Sequence, residues 1–160
     1  MTSPDFSPTP SSIITVRFQD CDPFNHLNNG RYVDYFLNAR EDHLLDHYGL
    51  DIYRVARETG LSWVVSTSQI AYLRPAFLME KVLVETQLIA HGRKHVQVEM
   101  RMWSADGKEL KAFCWMGFVH YDIRKNASVE HSADYIALFN RVHAPVTEQR
   151  FEERLAALKG

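Results

Sequence analysis

The sequence predicts an α+β domain, one long helix set against a largely antiparallel sheet. Three observations predict it. A β-branched run from Ile13 to Phe18 leads into a polar turn and then into about twenty residues with helical apolar spacing. The middle of the chain carries strand patterns joined by short turns. Helical spacing returns only near the C-terminus. A block of strands kept apart from helices is the α+β pattern rather than the alternating one. No internal repeat and no second composition regime stands out, so the 160 residues read as one domain.

Residues 1–12 are rich in Ser and Pro and are expected to form a loose leader, with a single domain over 13–160. The leader lacks the basic segment followed by an apolar core that marks a signal peptide. The first strand is Ile13 to Phe18. The long helix runs from Asn29 to about Tyr48, with Tyr32, Tyr35, Phe36, Ala39, Leu44, Leu45 and Tyr48 on its apolar side. Asn28 or Asn29 suits the N-cap, since a short side-chain oxygen can accept from a free backbone N–H. Gly49 suits the left-handed residue that ends a helix. So much apolar surface predicts burial around much of the helix. A shorter helix, Asp51 to Thr59, stops at Gly60.

Four strands follow. Leu61 to Leu73 is bounded by Pro75, and Lys81 to His91 by the His91-Gly-Arg-Lys94 turn. His95 to Trp103 alternates, with Val96, Val98, Met100 and Met102 on one face and Gln97, Glu99 and Arg101 on the other. Asp106-Gly107 predicts a two-residue hairpin. Leu110 to Tyr121 is apolar on both faces, as a central strand covered on both sides should be. Helices are expected near 132–142 and 147–158.

Composition narrows the function. Hydrophobic residues make up 46% and the net charge is −2, so a packed core is expected, and scattered basic residues give no footprint for nucleic acid or an anionic membrane. No apolar stretch is long enough to span a bilayer. Two cysteines, Cys21 and Cys114, make no disulfide framework, and reduced thiols in a cytoplasmic protein are the default expectation. There is no Gly-x-Ser-x-Gly elbow and no phosphate-binding glycine loop. His43 and His47 have metal-ligand spacing but no third ligand is evident, so they read as an exposed helical pair.

Polar chemistry concentrates in one turn, Asp20-Cys-Asp-Pro-Phe-Asn-His-Leu-Asn-Asn29. A carboxylate just before a helix start is well placed to work beside unsatisfied backbone N–H groups and the positive end of the helix dipole. On the residues alone, Asp22 reads first as a turn or capping acid before Pro23. Asp20 reads as structural, paired with Arg17 or Arg40. His26 is either bonded to backbone or a helper, and Cys21 a structural thiol. The helix acids Asp34, Glu41, Asp42 and Asp46 read as a solvated face.

The turn, with Asp22, His26-Leu27-Asn28-Asn29, Tyr32, Arg40 and the later Tyr72-Leu-Arg-Pro-Ala76 segment, resembles the hotdog-fold acyl-CoA thioesterases, in particular the 4-hydroxybenzoyl-CoA thioesterase-like group. The resemblance covers roughly Ile13 to Tyr121 and treats the C-terminal helices as an extension. It implies a hotdog fold, a homodimer that can pair into a homotetramer, and sites at the subunit interface. It implies hydrolysis of an acyl-CoA thioester without metal or organic cofactor. Asp22 becomes the expected general base or nucleophile, with His26 and Asn28 beside it. Arg93, Lys94 and Arg74, with Arg31 after them, become the expected partners of the CoA phosphates. Tyr32, Tyr35, Phe36, Trp63 and Tyr72 become candidates for the acyl pocket. The plant acyl-carrier-protein thioesterases offer Asp, Asn and His at alternate positions of a comparable turn, whereas Phe24 takes the middle place here. That departure keeps open a non-catalytic protein that binds acyl-CoA or acyl-carrier protein. A dehydratase-like activity would need an Asp/His or Glu/His pair in another setting, which this sequence does not show.

Overall fold

The computed structural model describes residues 3–160. Strand β1 (Ser11–Thr15) leads through a 3-10 turn (Phe18–Asp20) and the polar turn to α1 (Tyr32–Tyr48). Then come α2 (Ile52–Thr59), β2 (Leu61–Tyr72), β3 (Lys81–His91), β4 (His95–Ser104), β5 (Leu110–Asp122), the two-residue β6 (Ala127–Ser128), α3 (Ala133–Val142) and α4 (Phe151–Lys159). The strands form one antiparallel sheet in the order β1-β3-β4-β5-β2, with β6 on β5. This is the predicted hotdog architecture, a long helix held in a curled sheet.

Period-two side-chain alternation gives the sheet two faces. The inner face carries Val82, Val84 and Leu88, Val96 to Met102 at every second position, and Ala112, Cys114 and Met116. It packs on Tyr32, Tyr35, Phe36 and Ala39 of α1. The outer face carries Ile89, Leu110, Phe113 and Trp115, covered by Phe151, Leu155 and Leu158 of α4. Phe113 stacks on Phe151 with ring centroids 4.7 Å apart. Coverage on both sides buries β5 continuously from Leu110 to Met116, as its unbroken apolar run predicts.

Helix boundaries follow the expected caps. Asn28 accepts from Gly30 N–H at 2.9 Å, a 3-10 turn (Asn29–Arg31) precedes α1, and Gly49 ends it at φ 68°. Asp51 caps α2 and Gly60, at φ 75°, ends it. Three expectations shift. The first strand stops at Thr15, because Arg17 N–H bonds the Tyr35 hydroxyl at 3.0 Å and the chain then turns. The Asp106-Gly107 connection spans residues 105–109. There the Ser104 hydroxyl donates to Asp106 and accepts from Glu109 N–H, while Ser104 N–H still donates to Glu109 O at 2.8 Å, so side-chain bonds reinforce a longer turn. The last helix begins at Phe151 rather than near Thr147.

Candidate functional site

Two concavities matter, one at each end of α1. The first is a cleft of about 230 Å³ at the start of α1, lined by Asp22, His26, Asn29, Tyr32, Tyr72 and Arg74. The turn is built by Asp22 itself. Its Oδ1 accepts from Phe24 N–H at 2.9 Å and from His26 N–H at 3.1 Å, and its backbone closes a bridge with His26 O at 2.8 Å. Asn25, at φ 63°, takes the left-handed corner that asparagine tolerates. The capping and working roles are therefore compatible. Two N–H groups hold Oδ1, and Oδ2 is the oxygen left for the cleft.

Around it, the His26 ring packs edge-on against Phe77 at 5.0 Å. Tyr72 donates to Asn29 O at 3.1 Å and packs on Tyr32. Asn28 is committed to the helix cap. Phe24 stands 78% exposed at the tip of the turn. Asp20 does not pair with Arg17 or Arg40: it accepts from the Tyr35 hydroxyl at 2.7 Å, which fastens the turn to α1. The Cys21 thiol donates to Arg17 O, and burial raises its pKa, as for a structural thiol.

The cations divide. Arg74 lies in the cleft, 4.0 Å from Glu109. Arg31 pairs with Asp34 on the exposed first turn of α1. Arg93 pairs with Glu130, and Lys94 reaches Ser128 at 3.4 Å, both in the hairpin at the far end of β3. Since β3 has eleven residues, about 33 Å of strand, that hairpin and the polar turn lie at opposite ends of β3 within one chain.

The second concavity is an apolar cavity of about 180 Å³ beside the C-terminal half of α1. Its walls come from Leu37 and Leu44 of α1, Trp63 and Val65 of β2, Phe118 of β5 and Phe139 of α3. Of the aromatic candidates, Trp63 lines this cavity, Tyr32 and Tyr72 line the cleft, and Tyr35 and Phe36 are core. Glu41 also lines it and accepts from the Tyr53 hydroxyl at 2.7 Å, so it is not simply one of the solvated acids.

Arg40 lines the cavity too, although it is only 6% exposed. It donates to Thr86 Oγ1 at 2.9 Å and lies 5.5 Å from the Tyr48 ring centroid. His43 is buried rather than exposed. Its ring nitrogens contact Thr86 and Ser12 at 2.8 and 2.9 Å, and His47 turns away to Asp5, so the two do not form a metal pair. Burial first, then the Arg40 charge, lower the His43 pKa to about 4. The sequence names Arg40 but not its environment. The usable signal is spacing, for Arg40 stands four residues after buried Phe36 and three before buried His43.

A sequence profile described as the thioesterase-like superfamily matches residues 16–148. Among solved structures, a DHNA-CoA thioesterase from Staphylococcus aureus superposes with a TM-score of 0.77 at 18% identity, covering 84% of this chain and 90% of that one. The YbaW probable thioesterase from Escherichia coli gives 0.70 at 22% identity, covering 84% and 98%. The SAV2348 protein from Staphylococcus aureus, solved in complex with CoA, gives 0.76 at 14% identity, covering 88% and 89%. At these identities the likeness is one of fold. No curated protein matches by sequence.

Proposed function

The chain belongs to the thioesterase-like superfamily, and from that premise we propose that it hydrolyses an acyl-CoA thioester, with Asp22 as the working carboxylate at an interface between two copies. The observation that carries this reading is the cleft, where a carboxylate with one oxygen fixed by two N–H groups stands beside the N-terminus of α1. As general base, Asp22 takes a proton from water while that water adds to the thioester carbon. The helix N-terminus stabilises the oxyanion, and collapse expels CoA as the thiolate. As nucleophile, Asp22 displaces the thiolate to give a mixed anhydride, which water then cleaves.

Strand β2 supports the interface. It is a twelve-residue edge strand whose middle, Val64 to Gln69, is exposed, and such an edge is a template for pairing. An antiparallel pairing centred on this stretch sets Ile70 of one copy opposite Trp63 of the other. The cleft of one copy, at the Tyr72 end, then adjoins the cavity of the other, at the Trp63 end. Scissile carbonyl and acyl group would thus be held by different copies. The same pairing offers a route for Arg93 and Lys94 of one copy to serve a site in which Asp22 comes from the other. Because α4 covers the outer sheet face, dimers have no bare face there for pairing back to back, and the expected assembly is a homodimer.

The test uses the purified protein, its mass by light scattering, and thiol release from a panel of acyl-CoAs. Asp22→Asn keeps the cap geometry and should lower kcat by about a hundredfold or more, with KM little changed. Retention of most turnover removes Asp22 from the mechanism. CoA binding with no turnover by the native protein would favour the non-catalytic acyl-CoA-binding alternative.

A further inference from the structure

We infer that the acyl group taken by the cavity ends in a carboxylate, held by Arg40, so that the substrate is the monothioester of a short dicarboxylic acid. This rests on the proposed thioesterase reading and adds to it the chemistry of the far end of the substrate.

A buried cation normally has an anion beside it. Arg40 has none among the described residues. Its neighbours are the Thr86 hydroxyl, the Tyr48 ring and, through Thr86, the His43 imidazole. None of these carries charge near neutral pH: burial keeps the Tyr48 hydroxyl protonated against the pull of Arg40, and His43, with its pKa lowered to about 4, is a neutral imidazole. Glu41, the next residue, is engaged by Tyr53 in an exposed contact rather than by Arg40. A guanidinium carries five N–H donors; the bond to Thr86 uses one and the Tyr48 hydroxyl engages another. The remainder suit a carboxylate, which accepts two parallel N–H bonds in a fork. Apart from Glu41, whose carboxylate is taken by the Tyr53 hydroxyl, Arg40 is the one charge among otherwise apolar walls, which matches one singly charged group better than a phosphate.

Size sets the rest. An apolar cavity of about 150 Å³ holds benzene, so about 180 Å³ suits a chain of roughly six carbons on the same scale. The cavity opens beside the unpaired edge of β2, where the proposed pairing brings the cleft of a second copy. A six-carbon acyl group would enter carboxylate first, leaving its thioester carbon at the mouth.

The experiment has two arms. In the first, calorimetry compares binding of two CoA thioethers that cannot be hydrolysed, S-(5-carboxypentyl)-CoA and S-hexyl-CoA. In the second, hydrolysis of adipyl-CoA is compared with that of hexanoyl-CoA. The native protein should prefer the carboxylated member at least about tenfold in each arm. Arg40→Met should abolish the preference, and Arg40→Lys should keep part of it. The native comparison stands without the variants, should either fail to fold. Equal or weaker binding of the carboxylated thioether overturns the inference, whatever is hydrolysed. Preference in binding with no hydrolysis of either thioester leaves the carboxylate site standing and removes the thioesterase reading instead.

Discussion

Two buried arginines lie on opposite faces of one sheet, and their surroundings are opposites. On the outer face, Arg101 donates to Glu85 at 2.7 Å, to Gln87 at 2.8 Å and to Glu99. Glu99, fully buried, also accepts two bonds from Arg154 of α4, at 2.8 and 2.9 Å, and one from Trp115 Nε1 at 3.0 Å. Every charge there has a partner, and the network fastens α4 to the sheet. On the inner face, Arg40 meets only neutral groups. The difference separates a charge that serves the fold from one that the folded chain leaves unmatched. A buried charge with complete partners needs no ligand to explain it, while an unmatched one beside a cavity does.

The largest effect should come from breaking the matched network. Glu99→Gln keeps the shape and an acceptor but removes the negative charge from between two arginines. Burial works against ionisation of Glu99, yet the bonds from Arg154 and Trp115 and the charge of Arg101 hold its pKa below the ordinary value. Losing one member of a buried pair commonly costs about 3 kcal/mol or more. Denaturant melts should show a loss of that size. A loss under about 1 kcal/mol would mean that the network contributes little and that the contrast with Arg40 fails.

That network also marks where the sequence stops being legible. The fold class, the order of elements, α1 with both of its ends, and the two-sided coverage of β5 all follow from local patterns. The polar turn was legible because so much chemistry falls within ten residues. What covers the outer face was not, since Glu99 and Arg154 are 55 residues apart and their pairing follows from where α4 docks. Arg40 and His43 were hidden for the same kind of reason. A helical wheel shows that they share a face with Phe36, but only the sheet opposite decides whether that face meets water. Likewise, the cavity is assembled from α1, β2, β5 and α3 residues whose separation in sequence carries no signal.

A smaller effect should separate the two faces by pH. On the inner face His43 lies beside Arg40, and its ring nitrogens contact only the Thr86 and Ser12 hydroxyls. His43 titrates at about 4 in the folded chain against 6.5 for the ordinary group, so between those values the unfolded chain binds the extra proton. Stability from this residue is complete above about pH 6.5 and is lost as pH falls toward 4, by up to about 3 kcal/mol. Burial lowers the pKa values of His91, His120 and His131 in the same sense. The lowered pKa of Glu99 works in the other order, its contribution persisting to pH values below the ordinary carboxylate range. Acid should therefore loosen the inner face first. In melts from pH 7 to pH 4, His43→Gln should reduce the fall in stability, whereas an unchanged slope would put the loss elsewhere.

The smallest effect expected is that of Arg40→Met on the stability of the ligand-free protein. The substitution deletes the bond to Thr86 and the contact with Tyr48, together worth about 2–4 kcal/mol. It also removes a desolvated cation that no carboxylate balances, and it fills the space with an apolar chain of similar reach. These terms oppose each other, so the net change should stay within about 1 kcal/mol. No acid is stranded by the change, which is what separates it from Glu99→Gln. Thermal and denaturant melts of the two variants, run side by side without ligand, measure that separation. If Arg40→Met costs as much as Glu99→Gln, the folded chain already compensates Arg40, and an anion in the cavity is no longer required to explain its burial.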